Sequence, residues 1–437
     1  MAKLALLGGR RTVTAKSVSP VWPRFSKKAI AAVVKLLETG GGISTGRSKI
    51  VADAERAFAD YHGVKHAMAV GSGTAALHAA VLGCGIEPGA EVITSPYSWG
   101  STTACLLHSN IVPTFADVEE QTGLLAPASV EQRIGPRTRG IMVVHIYGQP
   151  ADMRSLRRIA KKHNLALMED CSQAHGAAYR GKRVGSLGDA AGFSCMGYKL
   201  LGTTEMGMML TNSRATYERA LLFSQHHSLL CRKPTPRGPG VHKALYPYVD
   251  ALVYSYRTTD IDCVLLLDQL VHLTRWNKAR TANRNALVDA IGDIEFVRAP
   301  VYPKWVDPVY HMATFRYDER KAGGVTRESF MTALSAEGAG ASVYIYSPIP
   351  LWARMNARGY TGPSAPWLPM LRKAGVRYSA KDIPICMKLS EKTSFQMFFN
   401  ALTEPEPELM QQYAKAFHKV AENMDALREW QKKQHRP

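Results

Sequence analysis

Long apolar runs are missing from this chain of 437 residues. No uninterrupted stretch of about 18 apolar residues is present to cross a bilayer, and the N-terminus lacks the basic start, apolar centre and small-residue cleavage site of a secretory leader. The expectation is a cytoplasmic protein without a membrane partner. Cysteine is scarce and scattered: the seven residues, Cys84, Cys105, Cys171, Cys195, Cys231, Cys263 and Cys386, include no Cys-x-x-Cys pair. That argues against a disulfide framework or a zinc site and fits a reducing compartment, with Cys171 and Cys195 acting as small apolar fillers. Acidic residues are also short, 36 against 55 Lys and Arg, for a formal charge of +19. Such a field attracts anions and speeds capture of acidic substrates without determining a fold. A nucleic-acid partner is disfavoured, because no groove-reading basic helix or aromatic RNA motif accompanies the charge. Internal repeats and low-complexity blocks are absent too.

The chain is long enough to bury a large core in two or three domains. Apolar segments of strand length alternate with helix-patterned ones from about residue 50 to 250, the order of a βαβ series. Residues 141–146 and 165–168 are continuous apolar runs, as strands covered on both faces require. Between them, residues 153–163 have helical spacing and end in basic residues. Residues 261–289 read as one long connecting helix. Beyond it the pattern becomes α+β: residues 310–317 alternate like a strand, and Thr326 caps a helix through Ala336 with Glu328 in its first turn. Leu409, Tyr413, Phe417, Val420, Met424 and Leu427 keep one helical face apolar after the starters Pro405 and Pro407. The basic stretch 428–437 reads as a frayed tail.

Chemistry enters at Asp170, which ends an apolar run, and at Lys199, which closes Phe193-Ser194-Cys195-Met196-Gly197-Tyr198-Lys199. An acid at a strand end followed by a Ser-x-x-x-x-Lys turn points to pyridoxal 5'-phosphate (PLP), which needs a lysine to bind and an acid against its ring nitrogen. A carboxylate there favours the charged pyridinium, and burial lowers the lysine's pKa towards the neutral amine. Gly71-Ser72-Gly73-Thr74-Ala75-Ala76 reads as a turn opening a helix whose free N–H groups bind phosphate, with hydroxyls from Ser72 and Thr74. Ser194 offers another hydroxyl. Trp99, after the apolar Val92-Ile93, offers a face to a flat ring. Taken singly, each residue has a plainer reading: a turn-capping acid, a solvated lysine, a core tryptophan. A dinucleotide site built on Gly71-x-Gly73-x-x-Ala76 and Glu91 fails on position, because Glu91 precedes its strand and a ribose contact needs an acid at the carboxyl end.

The blocks containing these residues, together with Val144-His145-Ile146-Tyr147-Gly148-Gln149-Pro150 and Glu169-Asp170-Cys171-Ser172-Gln173-Ala174-His175-Gly176, resemble the DegT/DnrJ/EryC1/StrS family of PLP-dependent sugar aminotransferases. The likeness spans roughly residues 5 to 427. It implies an α/β fold of the PLP-dependent transferase type (fold type I), with a mainly parallel sheet in the large domain and a smaller α+β C-terminal domain. The expected boundaries are an N-terminal arm 1–25, a large domain 26–260, a linking helix and small domain 261–427, and a basic tail 428–437. By the same resemblance Lys199 joins the cofactor, Asp170 contacts its pyridine nitrogen, Trp99 stacks on its ring and Gln173 lies near its phenolic oxygen. Gly73, Thr74 and Ser194 would hold its phosphate. A homodimer is implied, with glutamate or glutamine as donor and a ketocyclitol or keto sugar of secondary metabolism as acceptor. Residues 317–324 and 336–338 look most like the cyclitol and aminoglycoside branch. A shikimate-type cyclic keto acid, as in the aminobenzoate-synthase branch, is the alternative.

Two departures from the family pattern stand out. Thr204-Glu205-Met206-Gly207 replaces its Gly-Glu-Gly-Gly turn, implying a retained turn with a bulkier wall. Ser255-Tyr256-Arg257 replaces its Asn-Tyr-Arg, so the shorter Ser255 stands where an Asn reaches the neighbouring subunit's phosphate. A basic loop, Arg232 to Lys243, has too many prolines and glycines for a helix. It is either a solvated loop or a flap that meets an acidic substrate group.

Overall fold

The structure, a computed structural model, describes residues 2–19, 21–40, 48–224, 254–355 and 365–434. Cys231 and the basic loop lie outside the described residues. The central sheet draws on strands β1 (His66–Val70), β2 (Glu91–Thr94), β3 (Val112–Phe115), β4 (Thr138–Val144) and β5 (Ala166–Asp170). A short hairpin, β6 (Ala178–Tyr179) and β7 (Lys182–Arg183), precedes its last two strands, β8 (Ala190–Ser194) and β9 (Gly207–Thr211). Their order is β1-β9-β8-β5-β4-β2-β3. Pairings from β3 through β8 are parallel, and β9 runs antiparallel to both neighbours, so the sheet is mainly parallel as expected.

The apolar runs are explained by coverage of both faces. Ile141, Val143 and Leu167 pack into one core cluster, while the alternating Met142 and Met168 pack into another. Period-two alternation sends neighbouring residues to opposite faces, so a strand covered on both sides is apolar throughout. Helix Gly73–Gly83 follows β1 and is capped by Ser72, whose Oγ accepts the Ala75 N–H at 3.1 Å. Its Leu77 lies where any side chain on Gly192 of β8 would clash.

The C-terminal half builds an antiparallel sheet from β10 (Val297–Arg298), β12 (Met312–Tyr317) and β13 (Ser394–Phe398), while β11 (Val306–Asp307) joins the hairpin. Helices Arg327–Glu337 and Pro407–Glu422 cover it, with Phe315, Phe330, Phe395 and Phe417 in the core. Thr326 accepts the Ser329 N–H as the N-cap. Among the described residues no helix is long and apolar enough to cross a membrane.

Four observations refine the sequence reading. The connecting helix is two helices, Asp260–Leu270 and Leu273–Ala290, because the His272 N–H closes a tighter turn on the Gln269 carbonyl. Part of the C-terminal half returns to the large domain: Ile345, Ile349, Leu371 and Leu389 belong to its core, and Asp117 accepts the N–H groups of Ile385 and Cys386. The N-terminal arm docks on the small domain, where buried Glu337 accepts bonds from Ala5, Thr12 and Lys419. Finally, the stretch expected to fray is helical through Gln434 (Met424–Gln434), since Arg428 donates to the Gly323 carbonyl and Gln431 accepts the Thr326 N–H.

Candidate active site

In this open α/β sheet the carboxyl ends of β5 and β8 face the start of helix Gly73–Gly83, and a cavity of about 830 Å³ lies at that edge. Gly73, Thr74, Trp99, Asp170, Gln173, Ser194 and Lys199, separated by up to 126 positions in sequence, all line it. Ser72 and Ser255 do not. Ser72 spends its oxygen on the helix cap, and Ser255, at φ 59°, accepts a bond from its own chain's Arg257 at 2.9 Å. A larger groove of about 1120 Å³ passes Tyr61, Arg183 and Lys278 but gathers none of these residues.

Asp170 is buried and fixed at both oxygens. Thr102 donates its hydroxyl to Oδ2 at 2.7 Å, and the Ser172 N–H reaches Oδ1 at 3.1 Å. Because Thr102 gives its only proton to a carboxylate, the Ser98 hydroxyl 2.7 Å away must donate to Thr102. The Lys199 ammonium is lowered from the ordinary lysine range by burial, which outweighs the pull of the Asp170 and Glu205 carboxylates. An amine in that setting is ready to act as a nucleophile or base.

The end of the cavity formed by the helix start is closely packed. A Cβ on Gly73 would stand 2.4 Å from the Ser194 Cβ, so a glycine is required for that approach. Thr74 donates to Ser101 at 2.8 Å, and both hydroxyls border the cavity. Glycine, the paired Thr74 and Ser101 hydroxyls and a helix N-terminus together form a cradle suited to a phosphate. Trp99 is 59% exposed, which removes the reading of a core tryptophan, and its ring is inclined at 29° to that of Tyr344 with the centres 6.3 Å apart. Gln173 is held on both sides: its Oε1 accepts the Tyr147 N–H and its Nε2 donates to Tyr344 Oη. Met206 of the altered turn points into the core and not into the cavity.

Residues 23–365 match the DegT/DnrJ/EryC1/StrS aminotransferase family. The chain belongs to that family. An L-glutamine:2-deoxy-scyllo-inosose aminotransferase of Streptomyces fradiae is 32% identical over 429 residues, covering 96% of this chain and 98% of that protein. The spore coat polysaccharide biosynthesis protein SpsC of Bacillus subtilis is 34% identical over 315 residues, covering 72% of this chain and 79% of that one. Among solved structures, 3-amino-5-hydroxybenzoic acid synthase superposes with a TM-score of 0.75 at 25% identity, over 92% of this chain and 98% of the other. The protein is an aminotransferase of the PLP-dependent fold, with the α/β architecture expected.

Several residues in and around this cavity escape a sequence reading. Tyr344, His311 and Asn400 carry no local motif and reach the cavity only through the tertiary fold, as Thr102 reaches Asp170 behind it. Glu169, beside Asp170, faces the other side of β5. It is fully buried and accepts N–H bonds from Gly185, Leu187 and Gly188 besides one from His145. The His145 Nδ1 accepts the Ala151 N–H, which fixes the proton on Nε2. His145, Glu169 and Cys171 lie close enough to suggest a metal, but the imidazole and carboxylate are committed to hydrogen bonds that pin the turn after β7 to the sheet.

Proposed function

We propose that this enzyme binds PLP in the cavity and transfers an amino group from glutamine or glutamate to a ketocyclitol. The observation that carries the reading is the burial of Lys199 in the same cavity as the doubly anchored Asp170 carboxylate. Asp170 would face the pyridine nitrogen, Gly73, Thr74 and Ser194 the phosphate, Trp99 the ring and Gln173 the phenolic oxygen. PLP, when bound, supplies an electron-withdrawing ring that acidifies the Cα–H of the amino donor. Lys199 Nζ, whose pKa burial lowers towards the free amine, would take the proton from that carbon and return one where the acceptor carbon is aminated, a role worth about 10²- to 10⁴-fold. Asp170 holds the positive charge opposite it, and Thr102 and Ser172 hold Asp170.

The cyclitol reading rests on relatives named for 2-deoxy-scyllo-inosose and on the cavity's outer wall. Trp99, Tyr198, Tyr344 and Phe398 give ring faces, and Asn400 and Tyr344 give polar groups, a mixture suited to a polyhydroxylated ring. A cyclic keto acid is the second reading, favoured by the fold similarity to 3-amino-5-hydroxybenzoic acid synthase. The pyridoxamine-loaded enzyme, mixed in single turnovers with 2-deoxy-scyllo-inosose, a nucleotide-linked keto sugar and a cyclic keto acid, tests the choice. The cyclitol should react at least tenfold faster, and a faster keto acid would replace it.

We also infer a homodimer. Helix Lys27–Glu38 exposes Ile30, Val34 and Leu37 along one stripe, and Val18 and Val21 before it are exposed too. An isologous partner would cover that face and bring a second chain's residues to each cavity. Light scattering that finds an active monomer removes this inference.

A further inference from the structure

Three consecutive carbonyls around the site lysine are each held by a donor from a different part of the chain. Tyr198 O accepts Asn400 Nδ2 at 3.0 Å, Lys199 O accepts Trp22 Nε1 at 3.0 Å, and Leu200 O accepts Arg280 Nη2 at 3.3 Å. Trp22 belongs to the N-terminal arm, Arg280 to helix Leu273–Ala290, and Asn400 to the segment just after β13. The donors are also joined to one another. Arg280 Nε and Nη2 grip the Asn400 carbonyl at 2.9 and 2.6 Å, and its guanidinium lies 5.1 Å from the Trp22 ring centre.

Arg280 is fully buried, and its hydrogen bonds go to neutral oxygens of Asn400, Leu200 and Asn277. Holding a guanidinium in the interior without a carboxylate is unfavourable, and burial pushes its pKa down to about 9. A neutral side chain would tie the helix to these two turns at less cost. What arginine adds is a rigid fork that binds two backbone sites at once, one next to Lys199 and one in the C-terminal domain.

We infer that Arg280, with Trp22 and Asn400, is a positioning bracket for Lys199. It sets the lysine backbone so that Nζ meets the cofactor aldehyde, and it does so only when the arm, the connecting helix and the C-terminal domain are docked together. The inference rests on the proposed role of Lys199 as the cofactor lysine.

The test uses the full chain stripped of cofactor. Mixing with PLP reports the attachment rate by absorbance, as Nζ and the aldehyde form one C=N bond and release one water. Binding of pyridoxamine 5'-phosphate, which forms no bond to lysine, is measured in parallel by fluorescence. Trp22→Phe and Arg280→Lys should slow attachment on the order of 10- to 100-fold, the penalty of a misplaced reacting group. Pyridoxamine phosphate affinity should stay within about twofold, as positioning of the lysine alone requires. Attachment at the wild-type rate in Trp22→Phe, or equal loss of attachment and pyridoxamine phosphate affinity, overturns the bracket. Should Arg280→Lys fail to fold, Trp22→Phe decides alone, since it keeps a ring beneath Arg280 and removes one N–H. A wild type that forms no lysine-linked absorbance, or a Lys199→Ala variant that retains it, instead overturns the reading beneath the bracket.

Discussion

At the inner end of the cavity Asp170, Ser194 and Lys199 are all at most 9% exposed, whereas at its mouth Trp99, Tyr198 and Phe398 are each more than half exposed. Asp170 and Ser194 end strands and Lys199 lies in the turn after β8, and two-sided hydrogen bonding, close packing or a held backbone fixes each of them before any ligand arrives. The mouth residues come from loops and a strand edge in both halves of the chain. Rigid placement is what covalent and proton-transfer chemistry requires, while a surface that must admit different ketones across a family varies. On the proposed reading, the reaction class therefore resides in the inner end and the choice of substrate in the mouth.

The contrast predicts the largest losses for the inner end. Lys199→Ala should abolish transamination, by at least about 10³-fold, and remove the lysine-linked absorbance while leaving the fold intact. Retained turnover would reject the assignment. The same side chain gives a sign to the pH dependence of the cofactor-free protein. Its folded pKa lies below the unfolded lysine value of 10.5, so the unfolded chain binds more protons, and stability rises with pH between the folded value and 10.5. Cofactor-free Lys199→Met should therefore melt above cofactor-free wild type near pH 7, with a gap that closes towards about pH 10. A gap independent of pH would mean that burial does not lower the Lys199 pKa.

Asp170→Asn comes next, at about 10²-fold or more in rate with PLP still bound, from lost pyridinium stabilisation. A rate within about threefold of wild type would mean that another group protonates the ring. Thr102→Val removes one hydrogen bond to the carboxylate, worth roughly 1.5 to 3 kcal/mol, and should cost about 10-fold or more. Gly73→Ala places a methyl 2.4 Å from the Ser194 Cβ. It should lower stability by about 1 to 3 kcal/mol and weaken cofactor retention, read by thermal melting and dialysis. An unchanged melting temperature would show that the helix start can move aside.

Legibility in the sequence follows that division only in part, since Trp99 at the mouth is legible and Thr102 behind Asp170 is not. Asp170, Lys199, Gly73 and Ser194 sit in short contiguous blocks whose residue types have one strong chemical meaning in combination, and their strands are apolar because the sheet buries both faces. Thr102 was hidden because a threonine in a helix has no distinguishing environment until Asp170 is beside it. Tyr344, Asn400 and Trp22 reach the site over distances that no periodicity encodes. The connecting helix looked continuous because its apolar pattern is nearly unbroken at Val271 and His272, where a single tighter turn redirects it. The return of residues such as Ile345 and Leu389 to the large-domain core was invisible for a related reason: apolar spacing says that a face is buried but not against what.

At the mouth the effects should be smaller and selective. Phe398→Ala should raise KM for the ketone several-fold, with little change in the donor half-reaction, because it removes a ring face and no reacting group. Equal damage to both half-reactions would place Phe398 with the inner groups.

The smallest effect is expected where charge alone acts. If the acceptor is a neutral ketocyclitol, replacing Arg232, Lys233 and Arg237 together with Ala should leave its KM within about twofold at low and high salt, because long-range attraction needs an anion. A keto acid or diphosphate-linked sugar behaves differently: removing three cations should raise its KM most at low ionic strength, and the loss should shrink as salt screens charges beyond about 8 Å at physiological strength. Measuring the two half-reactions separately, by stopped-flow absorbance at both ionic strengths, therefore assigns the loop. A salt-dependent loss confined to the ketone half-reaction overturns the neutral cyclitol and makes the loop a substrate-receiving flap. A salt-independent loss in both halves would give it a part in the subunit contact, and the boundary between a fixed inner end and a selective mouth would then run between two chains.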